Sequence, residues 1–161
     1  MTKRMRFLKI LCILSVVPGI YASTASADER YRPVQNERVL GECGECHMAF
    51  QPQMLPKRSW ERLMGGLGDH FGEDASIDPK TQKEIHEFLT ANAADSSWFG
   101  GRFMRGLDSN SAPLRITETP HWIREHNEEV PESAWNRPNV SSKANCPACH
   151  RRAHLGDYDD D

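Results

Sequence analysis

A chain of 161 residues holds one ordinary domain or two very small ones, which excludes a large multidomain machine. Apolar residues make up 38% and charged residues 27%, the balance of a soluble globular chain whose aliphatic core is thin. With 20 basic against 23 acidic side chains, the charge does not suit a protein whose affinity rests on neutralising nucleic-acid phosphates.

Lys3, Arg4, Arg6 and Lys9 open the chain, residues 10–17 form a short apolar run broken by Pro18-Gly19, and Ala25-Ser26-Ala27 closes a stretch of small residues. These are the charged, apolar and A-x-A parts of a secretory signal peptide, with cleavage expected before Asp28 and an exported, periplasmic product. The apolar stretch is far short of the roughly 20 residues that cross a bilayer, so no membrane span is expected after processing. Cys12 leaves with the peptide, and Leu11 ahead of it does not fit lipoprotein processing. Removing 27 residues and their four basic side chains leaves 134 residues with 16 basic and 23 acidic, a charge of −7.

Residues 36–47 read as a short helix that runs into Cys43-Gly44-Glu45-Cys46-His47. The two-proline stretch 51–56 is a loop, because proline is excluded from helix interiors. Ser59 is expected to cap a helix whose apolar face carries Trp60, Leu63, Met64, Leu67 and Phe71, with His70 on that same face and Gly72 ending it. Asp78-Pro79 starts another helix with Ile85, Phe88, Leu89 and Asn92 inward. Residues 95–118 are an irregular connection that still has Trp98, Phe99, Phe103 and Leu107 to bury. Thr119-Pro120 begins a helix with Trp122, Ile123, His126 and Val130 on one face. A last helix is expected from Ser141 or Ser142, carrying Cys146-Pro147-Ala148-Cys149-His150, and the acidic end 157–161 is expected to fray. No strand pair is evident, so the fold is expected to be all-α.

All four cysteines of the mature chain fall in the two C-x-x-C-H pentapeptides. Disulfides or a four-thiolate zinc site would use the cysteines alone and leave the adjacent His47 and His150 unexplained. C-x-x-C-H is the attachment sequence of c-type haem, in which both sulfurs add to the macrocycle and the next imidazole reaches the iron. Two covalent haem c groups are therefore expected, on Cys43 and Cys46 and on Cys146 and Cys149, with His47 and His150 as proximal ligands. Two large apolar groups would also fill the thin core.

Each iron then needs a sixth ligand, and five histidines remain. His86, His121 and His154 read as surface residues among charged neighbours, whereas His70 and His126 lie on apolar faces. His70 and His126 are the expected distal ligands, with Met54 or Met104 on one iron as the alternative. Chain proximity pairs His70 with the first haem and His126 with the second.

The stretches GECGECHMAFQPQMLPKRSW, LGDHFGEDA, EFLTANAA, RITETPHWIREH and SSKANCPACHRRAHLGDYDD resemble, in order and from end to end of the mature chain, the small dihaem cytochromes c of bacterial periplasms. The resemblance implies a signal peptide over 1–27, a class I cytochrome c-like N-terminal haem domain over 28–95 with His70 in place of the usual methionine, and an extended, loop-rich C-terminal haem region over 96–161. It also implies hexacoordinate low-spin haems and electron exchange with a membrane b-type cytochrome and a small high-spin, oxygen-binding haem protein. An electron carrier without a substrate of its own is the leading expectation. A dihaem peroxidase-like enzyme with one open iron is the alternative, and a haem-based sensor is a third reading, for which no second domain is evident.

Overall fold

The computed structural model describes residues 30–96 and 101–159; the expected signal peptide and Trp98 and Phe99 lie outside them. Helices α1 (Glu37–Glu42), α2 (Lys57–Gly65), α3 (Pro79–Ala91), α4 (Pro120–Glu129) and α5 (Glu132–Trp135) are joined by loops and single 3₁₀ turns. Among the described residues the only β pairings are two isolated bridges, Arg30 with Asp157 and His70 with Glu73. The all-α expectation therefore holds, and the C-terminal third is loop-rich.

Capping chemistry sets most helix starts. Asn36 Oδ1 accepts from the backbone N–H groups of Arg38 and Val39, Asp78 Oδ1 from those of Lys80 and Thr81, and Thr119 Oγ1 from that of Trp122. Each satisfies donors that the helix itself leaves open. α2 and α5 are the exceptions, following Pro56 and Pro131, which bond through no side chain, and α2 starts nearly one turn earlier than expected. Ser59 is consequently inside the helix and fully buried rather than at its cap. α2 and α3 pack together, with Trp60 and Met64 facing Ile85 and Leu89 in one buried cluster. Gln82 Nε2 donates to the Met64 carbonyl at 2.6 Å and holds the end of α2 on α3.

Two expectations fail around the glycines. α2 stops at Gly65, so His70 is not on the same helix as Trp60; Gly65-Gly66 removes the side-chain packing that would extend it. A 3₁₀ turn Leu67–Asp69 follows, then a reversal through Phe71 at φ 60° and Gly72 at φ 98°. Phe71, expected in the core, is 45% exposed. The helix expected after Ser141 is also missing. Ser141 takes φ 58° and Pro147 lacks the N–H a helix needs there, so the second motif is built on 3₁₀ turns at Cys146–Ala148 and Ala153–Leu155.

The end of the described chain does not fray at Asp157 and Tyr158, which are buried. Tyr31 N–H donates to the Gly156 carbonyl at 2.7 Å, Gln51 Nε2 to the Ala153 carbonyl at 2.8 Å, and the Tyr158 hydroxyl to Gln51 Oε1 at 2.6 Å. The irregular connection is held on α2 by Arg58, which donates to the carbonyls of Ser111 and Asp108, and by Arg62, which donates to that of Ala112. Phe103 from this connection is buried as expected.

Gly156 has φ 77°, and a Cβ there would lie 2.1 Å from the Tyr31 carbonyl oxygen. Gly156→Ala is expected to destabilise the holoprotein by more than about 2 kcal/mol through backbone strain and the displaced 31–156 contact. A denaturant titration checks this, and an unchanged midpoint would show that the contact contributes nothing.

Candidate functional site

The first motif follows directly on α1. Cys43 is the C-cap of α1, and its N–H donates to the Val39 carbonyl at 3.1 Å. Gly44 fits the turn because a Cβ would come 2.1 Å from the Leu40 carbonyl oxygen. His47 Nδ1 is 2.8 Å from the Met48 carbonyl oxygen. A carbonyl only accepts, so Nδ1 carries the proton and Nε2 keeps its lone pair for a metal. The His47 ring stacks on Phe50 at 5.1 Å, and on its other side His70 lies with ring centres 6.2 Å apart and planes at 21°.

His70 is fixed by the tight reversal around it. Its N–H donates to the Glu73 carbonyl at 2.8 Å and its carbonyl accepts from the Glu73 N–H at 3.3 Å. Burial, with the nearby His47 and Arg115, lowers its pKa and favours the neutral ring.

At the second site the same parts recur on different elements. His126 Nδ1 lies 2.9 Å from the Trp122 carbonyl oxygen, one turn back on α4, so its Nε2 also keeps a lone pair. The ring stacks on the Trp122 indole at 4.1 Å and 13°, and its centre is 6.2 Å from that of His150, with the planes at 80°. Burial lowers the His126 pKa against the opposing pull of the Trp122 carbonyl. These residues belong to a cleft enclosing about 800 Å³, part of it open to solvent, walled also by Phe103, Trp135, Val140, Cys146 and Tyr158. Met54 is in that wall with its Sδ 3.9 Å from the Tyr158 hydroxyl, while Met64 is in the α2–α3 core and Met104 is half-buried.

The cysteines fit attachment better than the other two uses. Among the described residues they form no disulfide, and no three His, Cys, Asp or Glu side chains cluster as a metal site. In each motif the first cysteine is half-buried and the second exposed. Burial pushes the Cys146 thiol up to about 11 and raises that of Cys43, where Glu42 adds to it.

One residue of the second site was missed by sequence reasoning. His121, expected at the surface beside Arg124 and Glu125, is 5% exposed and lines the cleft. Arg124 Nη2 lies 3.0 Å from Nδ1, Glu125 Oε1 3.5 Å from the same nitrogen, and the Tyr31 hydroxyl 3.5 Å from Nε2, with the Phe103 ring edge-on at 4.7 Å. The polar neighbours that suggested exposure are the partners that permit burial. His154 is exposed as expected, and His86 is half-buried on α3.

Two C-x-x-C-H motifs, each with its histidine ring 6.2 Å from a second imidazole, point to a c-type cytochrome. Residues 39–158 match the family described as dihaem cytochrome c, and the chain belongs to that family. It is similar to a diheme cytochrome c from Rhodobacter sphaeroides, with 43% identity, a TM-score of 0.75 and coverage of 79% of this chain and 99% of that one. A second structure from Rhodobacter sphaeroides, of DHC purified from that organism, has 39% identity, a TM-score of 0.65 and coverage of 78% and 98%. A diheme cytochrome c from Shewanella baltica OS155 has 33% identity, a TM-score of 0.63 and coverage of 78% and 89%. Comparison with curated proteins returns no match. Two haem c groups are accordingly bound covalently, and electron transfer is the role that membership implies.

The environment of His121 has a consequence for pH dependence. An arginine N–H only donates, so Nδ1 accepts and the ring is neutral when folded. Burial lowers its pKa, Glu125 opposes that, and Arg124, Arg102 and Arg105 reinforce it. Below the unfolded value of about 6.5 the unfolded chain takes up a proton that the folded ring refuses. Stability should therefore fall as pH drops from about 6.5 towards the lower folded value and level off beneath it. His121→Gln should flatten that slope relative to the wild type in denaturant titrations at several pH values; equal slopes would show that another group carries it.

Proposed function

We propose that this dihaem cytochrome c is a periplasmic, low-potential electron carrier in which His47 and His70 hold one iron and His150 and His126 the other. The observation that carries the assignment is the ring spacing. An imidazole nitrogen binds a transition metal at about 2 Å and the ring centre lies about 1 Å behind that nitrogen, so two rings on one metal have centres about 6 Å apart. Both pairs are spaced at 6.2 Å. The Nδ1 protons committed to the carbonyls of Met48 and Trp122 orient His47 and His126 for ligation through Nε2.

When bound, each haem supplies a one-electron couple. The residues would supply the imidazole nitrogens that hold each iron and exclude water: Trp122, Phe103 and Tyr158 line the second cleft, and Phe50 backs His47. Under this assignment neither iron keeps the open position that the dihaem peroxidase alternative requires. Two imidazoles favour ferric iron more than imidazole with thioether does, which places both potentials below those of His/Met cytochromes. The partners implied by the family resemblance are a membrane b-type cytochrome and a small high-spin haem protein. A mature charge of −7 favours encounter with a basic partner surface. The basic, apolar and A-x-A parts of residues 1–27 support export, and no helix of the described residues is long and apolar enough to cross a membrane.

Four measurements test this reading. The intact mass should equal the chain from Asp28 plus two haems, and a mass with one haem would contradict it. His70→Ala and His126→Ala should each turn one haem high-spin with both still attached; low-spin spectra in both variants would reject the ligand assignment. The planes of the two pairs differ, at 21° and 80°, so the oxidised protein should give two distinct low-spin EPR signals, the near-perpendicular pair the more anisotropic. Midpoints in the His/Met range would contradict the low-potential assignment.

A further inference from the structure

The two distal rings are held by different means, and the difference decides which of them can leave its iron. His126 stands on the ten-residue helix α4. Its ring bonds to the Trp122 carbonyl at 2.9 Å, stacks on the Trp122 indole at 4.1 Å and lies 5.9 Å from the Trp135 ring. Trp122 is itself buried. Withdrawing His126 would break a hydrogen bond and a stack and disturb the wall of the cleft.

His70 follows a 3₁₀ turn of three residues. Its ring meets two other rings, His47 at 6.2 Å and Phe71 at 4.8 Å. Among the described residues neither of its nitrogens has a carbonyl partner of the kind that fixes His47 and His126. The segment around it is closed on itself. Ala75 N–H donates to the Leu67 carbonyl at 2.9 Å, Phe71 N–H to the Asp69 carbonyl at 3.1 Å and Gly72 N–H to Asp69 Oδ1 at 3.2 Å, besides the two bonds between His70 and Glu73. Residues 67–75 are therefore a small lobe able to turn as a unit on Gly65-Gly66, where a Cβ at Gly65 would meet nothing within 4 Å. Residues 71–74 are all exposed.

Two features of the lobe oppose each other. Phe71 takes φ 60°, a left-handed conformation that strains a bulky L residue, and its ring is 45% exposed; both favour release. The ring is tied back by the Arg115 guanidinium, which lies 3.9 Å from its centre. Arg115 is in turn held by Glu118 at 3.7 Å and by its neighbour Ile116, which is buried. A cation over an aromatic face at an exposed site is a weak clasp, suited to a contact that opens.

From this we infer that the first haem site is a latent ligand site. His70, and not His126, is displaceable by a small neutral π-acceptor of the carbon monoxide class once the iron is ferrous, and Arg115 on Phe71 is the clasp that sets how often the lobe opens. In that step the bond between iron and the His70 imidazole breaks and an iron–carbon bond forms; the electron stays on the iron and the imidazole leaves neutral. The inference rests on the bis-imidazole assignment.

Mixing the dithionite-reduced holoprotein with carbon monoxide in a stopped-flow spectrophotometer tests it. The wild type should bind one carbon monoxide per molecule in a single phase whose rate saturates with concentration, because loss of His70 is limiting. His126→Ala opens the second iron and should add a fast phase, linear in carbon monoxide, while keeping the saturating one. His70→Ala should show the fast phase alone. Arg115→Gln should raise the plateau rate about two- to fivefold, the span of an exposed cation–π contact. Arg115→Lys, which keeps a cation over the ring, should stay near the wild-type rate, and both Arg115 variants should remain low-spin when oxidised. A saturating phase that survives in His70→Ala, or no uptake by the wild type, would overturn the inference and leave the ligand assignment standing. A plateau unmoved by Arg115→Gln would overturn the clasp. A wild type that is high-spin when reduced and binds carbon monoxide only in a fast, linear phase would overturn the ligand assignment and this inference with it.

Discussion

The relative placement of the two sites depends on one buried amide. Gln51, four residues after His47, is fully buried, and both ends of its side chain are used across more than a hundred residues of sequence. Nε2 donates to the carbonyl of Ala153, three residues after His150, and Oε1 accepts from Tyr158. Burying an amide without partners would cost on the order of 2 kcal/mol or more, so only the chain path that brings residues 153–158 back to this point satisfies it. The amide is therefore a register pin between the two motif-bearing segments. Tyr158, which it orients, has its ring 5.4 Å from His150 and 5.6 Å from Tyr31.

Most local signals matched the structure, the Ser59 cap and the helix start at Ser141 or Ser142 being exceptions, and signals that needed tertiary knowledge did not. The caps at Asn36, Asp78 and Thr119 and the inward face of α3 were legible because capping and helical periodicity act within a few residues, whereas Ile123, expected on the inward face of α4, is 40% exposed. The cysteine motifs were legible because their spacing is the chemistry. The fate of His121 was not, since Arg124 and Glu125 mark a solvated flank in an isolated helix, whereas here Tyr31 and Phe103 close over the ring from two other segments. Nor was the end of α2: the apolar spacing of Leu67, His70 and Phe71 continued the helical pattern, and two glycines with a left-handed pair at Phe71 and Gly72 broke it. His70 still arrives opposite His47, by a reversal instead of a helix face.

The two sites reach similar ring spacing by different local means, which explains the difference in their planes. His70 is placed by backbone bonds within a tight turn, parallel to a His47 that already stacks on Phe50. His126 is placed by a helix, its plane set by the Trp122 indole beneath it and its own bond to the Trp122 carbonyl. His150 belongs to 3₁₀ turns whose direction is set by Pro147 and by the Asn145 side chain, which donates to the carbonyls of Asn139 and Val140. The turns beside His150 and the helix that carries His126 are oriented by different local contacts, so parallel planes are not imposed there.

Haem c would complete a core that the chain alone leaves thin. α1 has six residues and α5 four, far short of the roughly 12–15 at which an isolated helix becomes marginal, so their order comes from tertiary contacts. Several of the largest side chains of the C-terminal region, Phe103, Trp122, Trp135 and Tyr158, face the second cleft rather than one another's centres alone. A haem c attached at Cys146 and Cys149 would remove their apolar surface from water, at about 25 cal/mol per Å², and its thioether bonds would attach the filler to the wall it stabilises. Redox cofactor and hydrophobic core are thus one object, and a substitution that loosens the wall acts on stability and on the electronic environment of the iron together.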